Sequence, residues 1–159
     1  MTKAHKRRRR GAFETGAGFL GLPADQRSRA KSRVLVLPIP YEGTVSYGCG
    51  TRFGPRAILE ASASVEPFDR KAGCEPAGEL GICTLPPVAV DVSGPENMVE
   101  RIAACAGPLY REGKFVLALG GEHTVTAGLV RAAARHWPDL CIVQVDAHAD
   151  LRASFQGSP

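Results

Sequence analysis

The fold is decided by residues 114–150, which read KFVLALGGEHTVTAGLVRAAARHWPDLCIVQVDAHAD. Two apolar runs, at 114–119 and 140–146, have the length and continuous hydrophobicity of strands that are covered on both faces. The segment between them, 124–137, has the composition of a helix and ends before Pro138, because a residue that precedes proline avoids the helical region. A strand, a helix and a strand in this order predict an α/β fold with a mainly parallel sheet.

The same kinds of pattern predict further elements upstream. An apolar run stopped by prolines indicates a strand, and apolar residues at steps of three and four indicate a helix. Within the longest helix, Gly107-Pro108 predicts a kink or an early end, because proline removes a hydrogen bond and clashes with the preceding turn. The expected elements are a strand at 34–37, a loop at 41–54, a helix at 55–64, a polar connection at 66–78, a short strand at 79–85 and a helix that opens at 93–95.

The basic character of the chain belongs to its first ten residues. The 159 residues have a formal net charge of +4, but Lys3, Lys6 and the run Arg7–Arg10 supply six cations without an acid among them, and the rest carries a net of −2. We interpret residues 1–32 as a disordered lead-in and residues 33–159 as one domain. A basic arm can bind nucleic acid, but no aromatic interleaving or recognition helix supports that partner here.

The cysteines and the hydropathy pattern bear on the compartment. Five cysteines form no C-x-x-C pair, and an odd number without a framework favours a reducing environment. Cys105 and Cys141 lie in apolar contexts typical of buried free thiols. No apolar stretch approaches the roughly 20 residues of a membrane span, and the basic start lacks the apolar segment of a secretory signal. We therefore expect a cytoplasmic protein with no membrane partner.

Four side chains that can bind a metal follow the two apolar runs of the deciding stretch. Asp146, His148 and Asp150 alternate, and side chains at i, i+2 and i+4 of an extended segment point to the same side. His123 follows the other run, and open parallel sheets place ligands at the carboxyl ends of their strands. Carboxylates with imidazole favour Mn²⁺ or a similar divalent ion. The alternative for the triplet alone is a polar loop, and Glu122 is expected to support His123 or the following helix.

These motifs resemble those of the ureohydrolases, the arginase and agmatinase family. Residues 120–126, GGEHTVT, are similar to the family's first metal-ligand motif, and residues 146–152, DAHADLR, to its second. Residues 41–55, YEGTVSYGCGTRFGP, resemble the glycine-rich N-terminal segment of agmatinases, and with the ending FQGSP at 155–159 they favour agmatinase over arginase. The resemblance covers roughly residues 33–159, as the N-terminal part of an arginase-like, three-layer α-β-α domain.

The resemblance implies a role for each candidate ligand. Asp146 would bridge two Mn²⁺ ions, with His123 and Asp150 on one ion and His148 on the other. Asp150 would also be catalytic, by orienting a metal-bridging hydroxide. The implied reaction is the hydrolysis of agmatine to putrescine and urea, a step in polyamine biosynthesis, in a homo-oligomer. Another guanidino or amidine compound, such as guanidinobutyrate, is the alternative substrate.

The family's ligand set is larger than the one in this chain. A further Asp-x-Asp motif is implied beyond residue 159, and no D-x-D sequence occurs within the chain. Two Mn²⁺ ions carry four positive charges, whereas Asp146 and Asp150 supply two negative ones. We therefore expect one weakly held ion, little or no turnover from these 159 residues alone, and a sheet edge prone to association. A non-catalytic metal- or partner-binding fragment is the alternative from another class.

Overall fold

A computed structural model describes residues 18–150 and 152–154. The predicted basic arm, as far as residue 17, and the ending at 155–159 lie outside the described residues. The strands and helices are, in chain order, β1 Val34–Ile39, α1 Gly54–Ser62, α2 Pro76–Leu80, β2 Ile82–Thr84, α3 Pro95–Arg111, β3 Phe115–Gly120 and α4 Val125–His136.

The sheet has three parallel strands in the order β2-β1-β3. Alternate side chains of β1 point to opposite faces, so the strand contributes to two separate cores. Leu35, Leu37 and Ile39 share a core with Met98 of α3, whereas Val36 belongs to a core on the side of α1 and α2. Helices cover both faces of the sheet, which confirms the predicted three-layer α/β architecture.

The predicted early end at Gly107-Pro108 is wrong, because α3 continues to Arg111 with Pro108 inside it. Pro108 is exposed and lies in the last turn, so the carbonyl that loses its donor can be hydrated. The helix also buries Met98, Ile102 and Leu109 along one face, and this packing outweighs one missing hydrogen bond.

Gly128 allows α4 to lie very close to α3. A β-carbon at this position would lie 2.6 Å from Cβ of Ile102 and 2.8 Å from the carbonyl oxygen of Val99. Ala103, Ala106 and Ala132 extend the same contact as a cluster of small buried residues. The close packing fixes the start of α4, and with it the loop that carries His123.

The strand predicted at 140–146 does not form in the described structure. Its apolar side chains are exposed, including Val143 at 85% and Val145 at 97%. A strand needs a neighbour for its backbone groups, and no described strand pairs with the outer edge of β3 or with this segment. The exposure of Cys141 also corrects the expectation of a buried thiol.

Two further expectations differ from the structure. Cys105 is exposed, and the buried thiol is that of Cys83 on β2. The described chain also packs against the domain well before residue 33: the N–H of Phe19 donates to Oγ1 of Thr84 at 2.9 Å, and the N–H of Leu20 donates to Oγ of Ser62 at 2.8 Å. Within the described ranges, no helix is long and apolar enough to cross a membrane.

Candidate metal centre

The loop that carries His123 is held against the turn that follows β1. The N–H of Gly121 donates to the carbonyl of Ile39, and the N–H of Glu122 to the carbonyl of Tyr41, both at 3.0 Å. A β-carbon on Gly121 would lie 2.0 Å from the carbonyl oxygen of Tyr41, so only glycine permits this approach. His123 therefore lies just beyond the carboxyl end of β3, as its sequence position predicts.

Three of the four predicted ligands come together at this edge. Among the described residues, His123, Asp146 and Asp150 can each offer a ligand atom such that all three atoms lie within 4.8 Å of one another. Nδ1 of His123 and Oδ2 of Asp150 are 2.6 Å apart, and their side chains are 46% and 48% exposed. The group is open to solvent and accessible to an ion.

The carboxylates converge through a bend rather than through the extended geometry that was predicted. The backbone N–H of His148 donates to Oδ1 of Asp146 at 2.9 Å, which turns the chain immediately after the first carboxylate. Asp150 then adopts a left-handed conformation with φ of 52°, which aspartate tolerates better than most residues. This geometry brings Asp150 back toward His123.

His148 is the predicted ligand that the structure leaves outside the group. Its side chain is 81% exposed, and its Nδ1 lies 3.6 Å from Oδ1 of Asp146. The prediction relied on alternate residues sharing one face, which holds only in an extended strand. Because residues 146–150 bend, the backbone of His148 contacts Asp146 while its imidazole faces solvent.

The electrostatics favour an ionised carboxylate at Asp146. The backbone N–H of His148 is the main group that lowers the pKa of Asp146, and the neighbouring imidazoles of His123 and His148 lower it further. Two carboxylates can balance the two positive charges of a divalent ion, and oxygen with imidazole nitrogen suits Mn²⁺ or a similar ion. The donor set therefore fits one hard divalent cation.

The Glu122 carboxylate binds the loop that follows β1. Its Oε2 accepts the N–H groups of Gly43 at 2.7 Å and Thr44 at 2.8 Å, and its Oε1 accepts the hydroxyl of Thr44. The residue is only 7% exposed. The sequence does not predict this contact, because 79 positions separate Glu122 from Gly43. The signal that could have indicated a structural role is the position of a glutamate next to a candidate ligand.

Glu42 organises the other end of the same loop. Its Oε2 accepts the N–H groups of Gly50 at 2.7 Å and Arg52 at 3.0 Å, together with the hydroxyl of Thr51 at 3.0 Å. These bonds, that from the N–H of Arg52 foremost, lower the pKa of Glu42. Residues 41–54 therefore form a loop that is held by a carboxylate at each side.

The fold and the ligand group define a class of protein: a parallel α/β domain with a candidate divalent-metal site at the carboxyl edge of its sheet. Within that class, the chain belongs to the arginase family, whose family model matches residues 32–159.

Individual relatives fall within the same family. The chain is 43% identical over 136 residues to an N(1)-aminopropylagmatine ureohydrolase from Synechocystis sp., covering 82% of this chain and 44% of the relative. It is 36% identical over 133 residues to an agmatinase from Bacillus anthracis, covering 81% and 44%. The chain thus spans less than half the length of these curated relatives.

Solved structures show the same fold. The agmatine ureohydrolase of Thermoplasma volcanium matches with a TM-score of 0.72 and 29% identity, over 80% of this chain and 42% of that one. The proclavaminate amidino hydrolase from Streptomyces clavuligerus matches with a TM-score of 0.76 and 26% identity, over 89% and 47%. These likenesses confirm the arginase-like fold implied by the sequence motifs.

Proposed function

We propose that this chain contributes to a Mn²⁺-dependent ureohydrolase site that hydrolyses agmatine to putrescine and urea. The observation that carries the proposal is the group formed by His123, Asp146 and Asp150 at the sheet edge of an arginase-family chain. Relatives named agmatinase support the choice of agmatine. Because the chain spans less than half of each such relative, the proposal concerns an enzyme to which further residues contribute.

The reaction joins the guanidinium carbon, which is a poor electrophile, to neutral water, which is a poor nucleophile. A divalent ion supplies water of lowered pKa and electrostatic stabilisation when it is bound. His123, Asp146 and Asp150 would hold that ion, and we assign Asp150 the catalytic role of orienting the attacking water and accepting its proton. Addition of the water oxygen to the guanidinium carbon gives a tetrahedral intermediate. Breaking the bond between this carbon and the alkyl-substituted nitrogen, with transfer of the proton from Asp150 to the leaving amine, releases urea and putrescine.

The ligands in this chain suffice for one ion. Asp146 and Asp150 balance two positive charges, and the three grouped side chains cannot fill two coordination spheres. His148 would join the site only if its imidazole turned toward a second ion whose other ligands came from residues outside the described group. We therefore propose one Mn²⁺ per isolated chain, with water completing its coordination.

A second substrate has support of its own. Three relatives that are 41% to 43% identical to this chain are named N(1)-aminopropylagmatine ureohydrolases, whereas the agmatinase from Bacillus anthracis is 36% identical. Agmatine and its aminopropyl derivative share the guanidino group and differ in what extends from it. Guanidinobutyrate and related amidines remain further alternatives.

Urea release tests this proposal directly. The 159-residue chain and a chimera that joins it to the unmatched portion of the Synechocystis relative would each receive Mn²⁺ and one guanidino substrate. We expect little turnover by the chain alone and clear turnover by the chimera, which Asp150→Asn should abolish while Asp139→Asn should not. A chimera that folds and binds Mn²⁺ but releases no urea from any of these substrates would refute the proposal and favour a non-catalytic fragment.

We also propose a cytoplasmic location and self-association. The described cysteines are all free, as expected in a reducing compartment. The open edge of β3 and the exposed apolar residues after Leu140 support self-association of the chain. Size measurement over a range of concentrations and localisation of a tagged protein test the two proposals separately.

A further inference from the structure

The loop at residues 41–54 and the loop that carries His123 are joined by polar side-chain bonds as well as by backbone contacts. We call the bonds of Glu122 to Gly43 and Thr44 the Glu122 clamp. The hydroxyl of Thr44 also lies 2.9 Å from Oγ1 of Thr124, on the far side of His123 in the chain. His123 is thus flanked by two residues that both hold Thr44.

We propose that Glu122 is a positioning residue for the metal centre: through the clamp, the conformation of loop 41–54 and the placement of the His123 imidazole depend on each other. The metal part of this inference rests on the proposed function. Glu122 itself touches neither substrate nor ion in this scheme. It acts through the peptide bond that joins it to His123.

Burial of the carboxylate makes the clamp strong. A buried carboxylate is costly unless donors compensate its charge, and two backbone N–H groups and one hydroxyl do so here. If the loop moved away, Glu122 would lose all three donors at once. The bound and released states of the loop are therefore separated by a substantial energy difference rather than by a gradual displacement.

The rest of the loop transmits its position to the clamp. Glu42 holds residues 50–52, so the loop is closed on itself, and a β-carbon at Gly54 would lie in ordinary contact, 3.5 Å, with the carbonyl oxygen of Gly120. Tyr47, at 98% exposed, lies between these two anchoring regions. Contacts made by the exposed part of the loop can therefore shift His123 without touching it.

Reciprocity gives the inference a measurable form. If the clamped state holds His123 where an ion can bind it, then an ion must favour the clamped state by the same factor. Mn²⁺ should accordingly protect the loop from proteolysis. Removing the clamp should weaken ion binding and abolish the protection together.

The test compares Glu122→Ala, Glu122→Gln and Thr44→Val in the full chain, with Glu66→Ala as the control at an exposed glutamate. Glutamine keeps an oxygen that accepts from the two N–H groups and has an amide that can donate to Thr44, whereas alanine has no side-chain group that can form these bonds. The readouts are chymotrypsin cleavage after Tyr47, the NMR resonance of the His123 ring and Mn²⁺ affinity.

We expect Glu122→Ala to speed cleavage several-fold without Mn²⁺, to shift the His123 resonance and to weaken Mn²⁺ binding by about 10-fold to 100-fold. Glu122→Gln should resemble the unchanged chain, and Thr44→Val should be intermediate. If Glu122→Ala unfolds, Thr44→Val decides the result, because its side chain is exposed and both N–H bonds to Glu122 remain.

Two results would overturn the inference. The first is a Glu122→Ala variant that loosens the loop yet matches Glu66→Ala in the His123 resonance and in Mn²⁺ affinity, and the second is a Glu122→Ala variant with unchanged cleavage. A chain that binds no Mn²⁺ at all refutes the proposed function instead. The clamp is then judged by cleavage and by the His123 resonance, which need no ion.

Discussion

Nδ1 of His123 and Oδ2 of Asp150 lie 2.6 Å apart, although 27 positions and the whole of α4 separate the two residues in the chain. This pairing requires both the Gly121 contact that fixes the His123 loop and the left-handed backbone of Asp150. The candidate metal centre therefore combines a ligand placed by the sheet with ligands placed by a bend.

His123→Ala and His148→Ala should differ in their effect on the ion. We expect His123→Ala to weaken Mn²⁺ binding by about 10-fold or more, because it removes one of three grouped ligands. His148→Ala should change the affinity much less, because this imidazole is 81% exposed and outside the group. Electron paramagnetic resonance of free Mn²⁺ measures both affinities, and an equal loss in the two variants would contradict the described arrangement.

Gly121→Ala should destabilise the domain. The new β-carbon would overlap the carbonyl of Tyr41, at 2.0 Å, and rigid backbone on both sides cannot yield cheaply. Overpacking of this kind costs about 1–3 kcal/mol or more in the free energy of unfolding. Gly78→Ala is the matched control, because nothing lies within 4 Å of its β-carbon. Urea denaturation compares them, and equal stabilities would be incompatible with the close approach.

Asp91→Asn should change how the stability of the domain depends on pH in the acid range. Oδ1 of Asp91 accepts hydrogen bonds from the hydroxyl and the N–H of Ser93, and Oδ2 accepts a hydrogen bond from Nη2 of Arg101 at 2.7 Å. These bonds lower the pKa of Asp91 from 3.8 to about 2. A pKa lowered by folding gives stability that is present above pH 3.8 and lost as the pH falls toward 2.

The measurement is the melting temperature of each variant between pH 5 and about pH 2. We expect Asp91→Asn to lower it at pH 5 and to converge on the unchanged chain at the acid end. Asp139→Asn, at an exposed aspartate, serves as the control. A difference between Asp91→Asn and the unchanged chain that persists to the lowest pH would argue against this contribution of the Asp91 bonds.

Ile142→Lys should reduce self-association. Ile142 is 57% exposed within the apolar segment that lacks a sheet partner, and a charge there opposes pairing between chains. Val65→Lys is a matched control, because Val65 is 58% exposed but lies elsewhere on the surface. Sedimentation velocity over a range of concentrations compares the two. Equal effects would show that added charge, rather than this segment, governs association.

The elements predicted correctly are those that local pattern determines. The apolar runs of β1 and β3 both form strands of the sheet, and Pro55 lies in the first turn of α1, as its fixed φ allows. The failed strand at 140–146 has an equally apolar pattern. What it lacks among the described residues is a neighbour, and no feature of its own sequence reveals whether a neighbour exists.

The candidate site was predictable in its ligand types but not in its geometry. Alternation at Asp146, His148 and Asp150 predicts a metal motif, yet a bend places the first and last of these with His123 and leaves the middle one outside. The Glu122 clamp joins residues about half the chain apart, so local periodicity could not indicate it. Long-range contacts of this kind depend on how the elements pack.

The contact between Gly121 and Tyr41 is made entirely by residues that precede both candidate carboxylate ligands in the chain. β1, the turn at Tyr41 and the His123 loop all precede Asp146, and synthesis proceeds from the N-terminus. The histidine can thus be seated by segments that leave the ribosome before either carboxylate does. The carboxylates can then complete a histidine side that is already in place, which separates folding of the sheet from completion of the candidate metal centre in time.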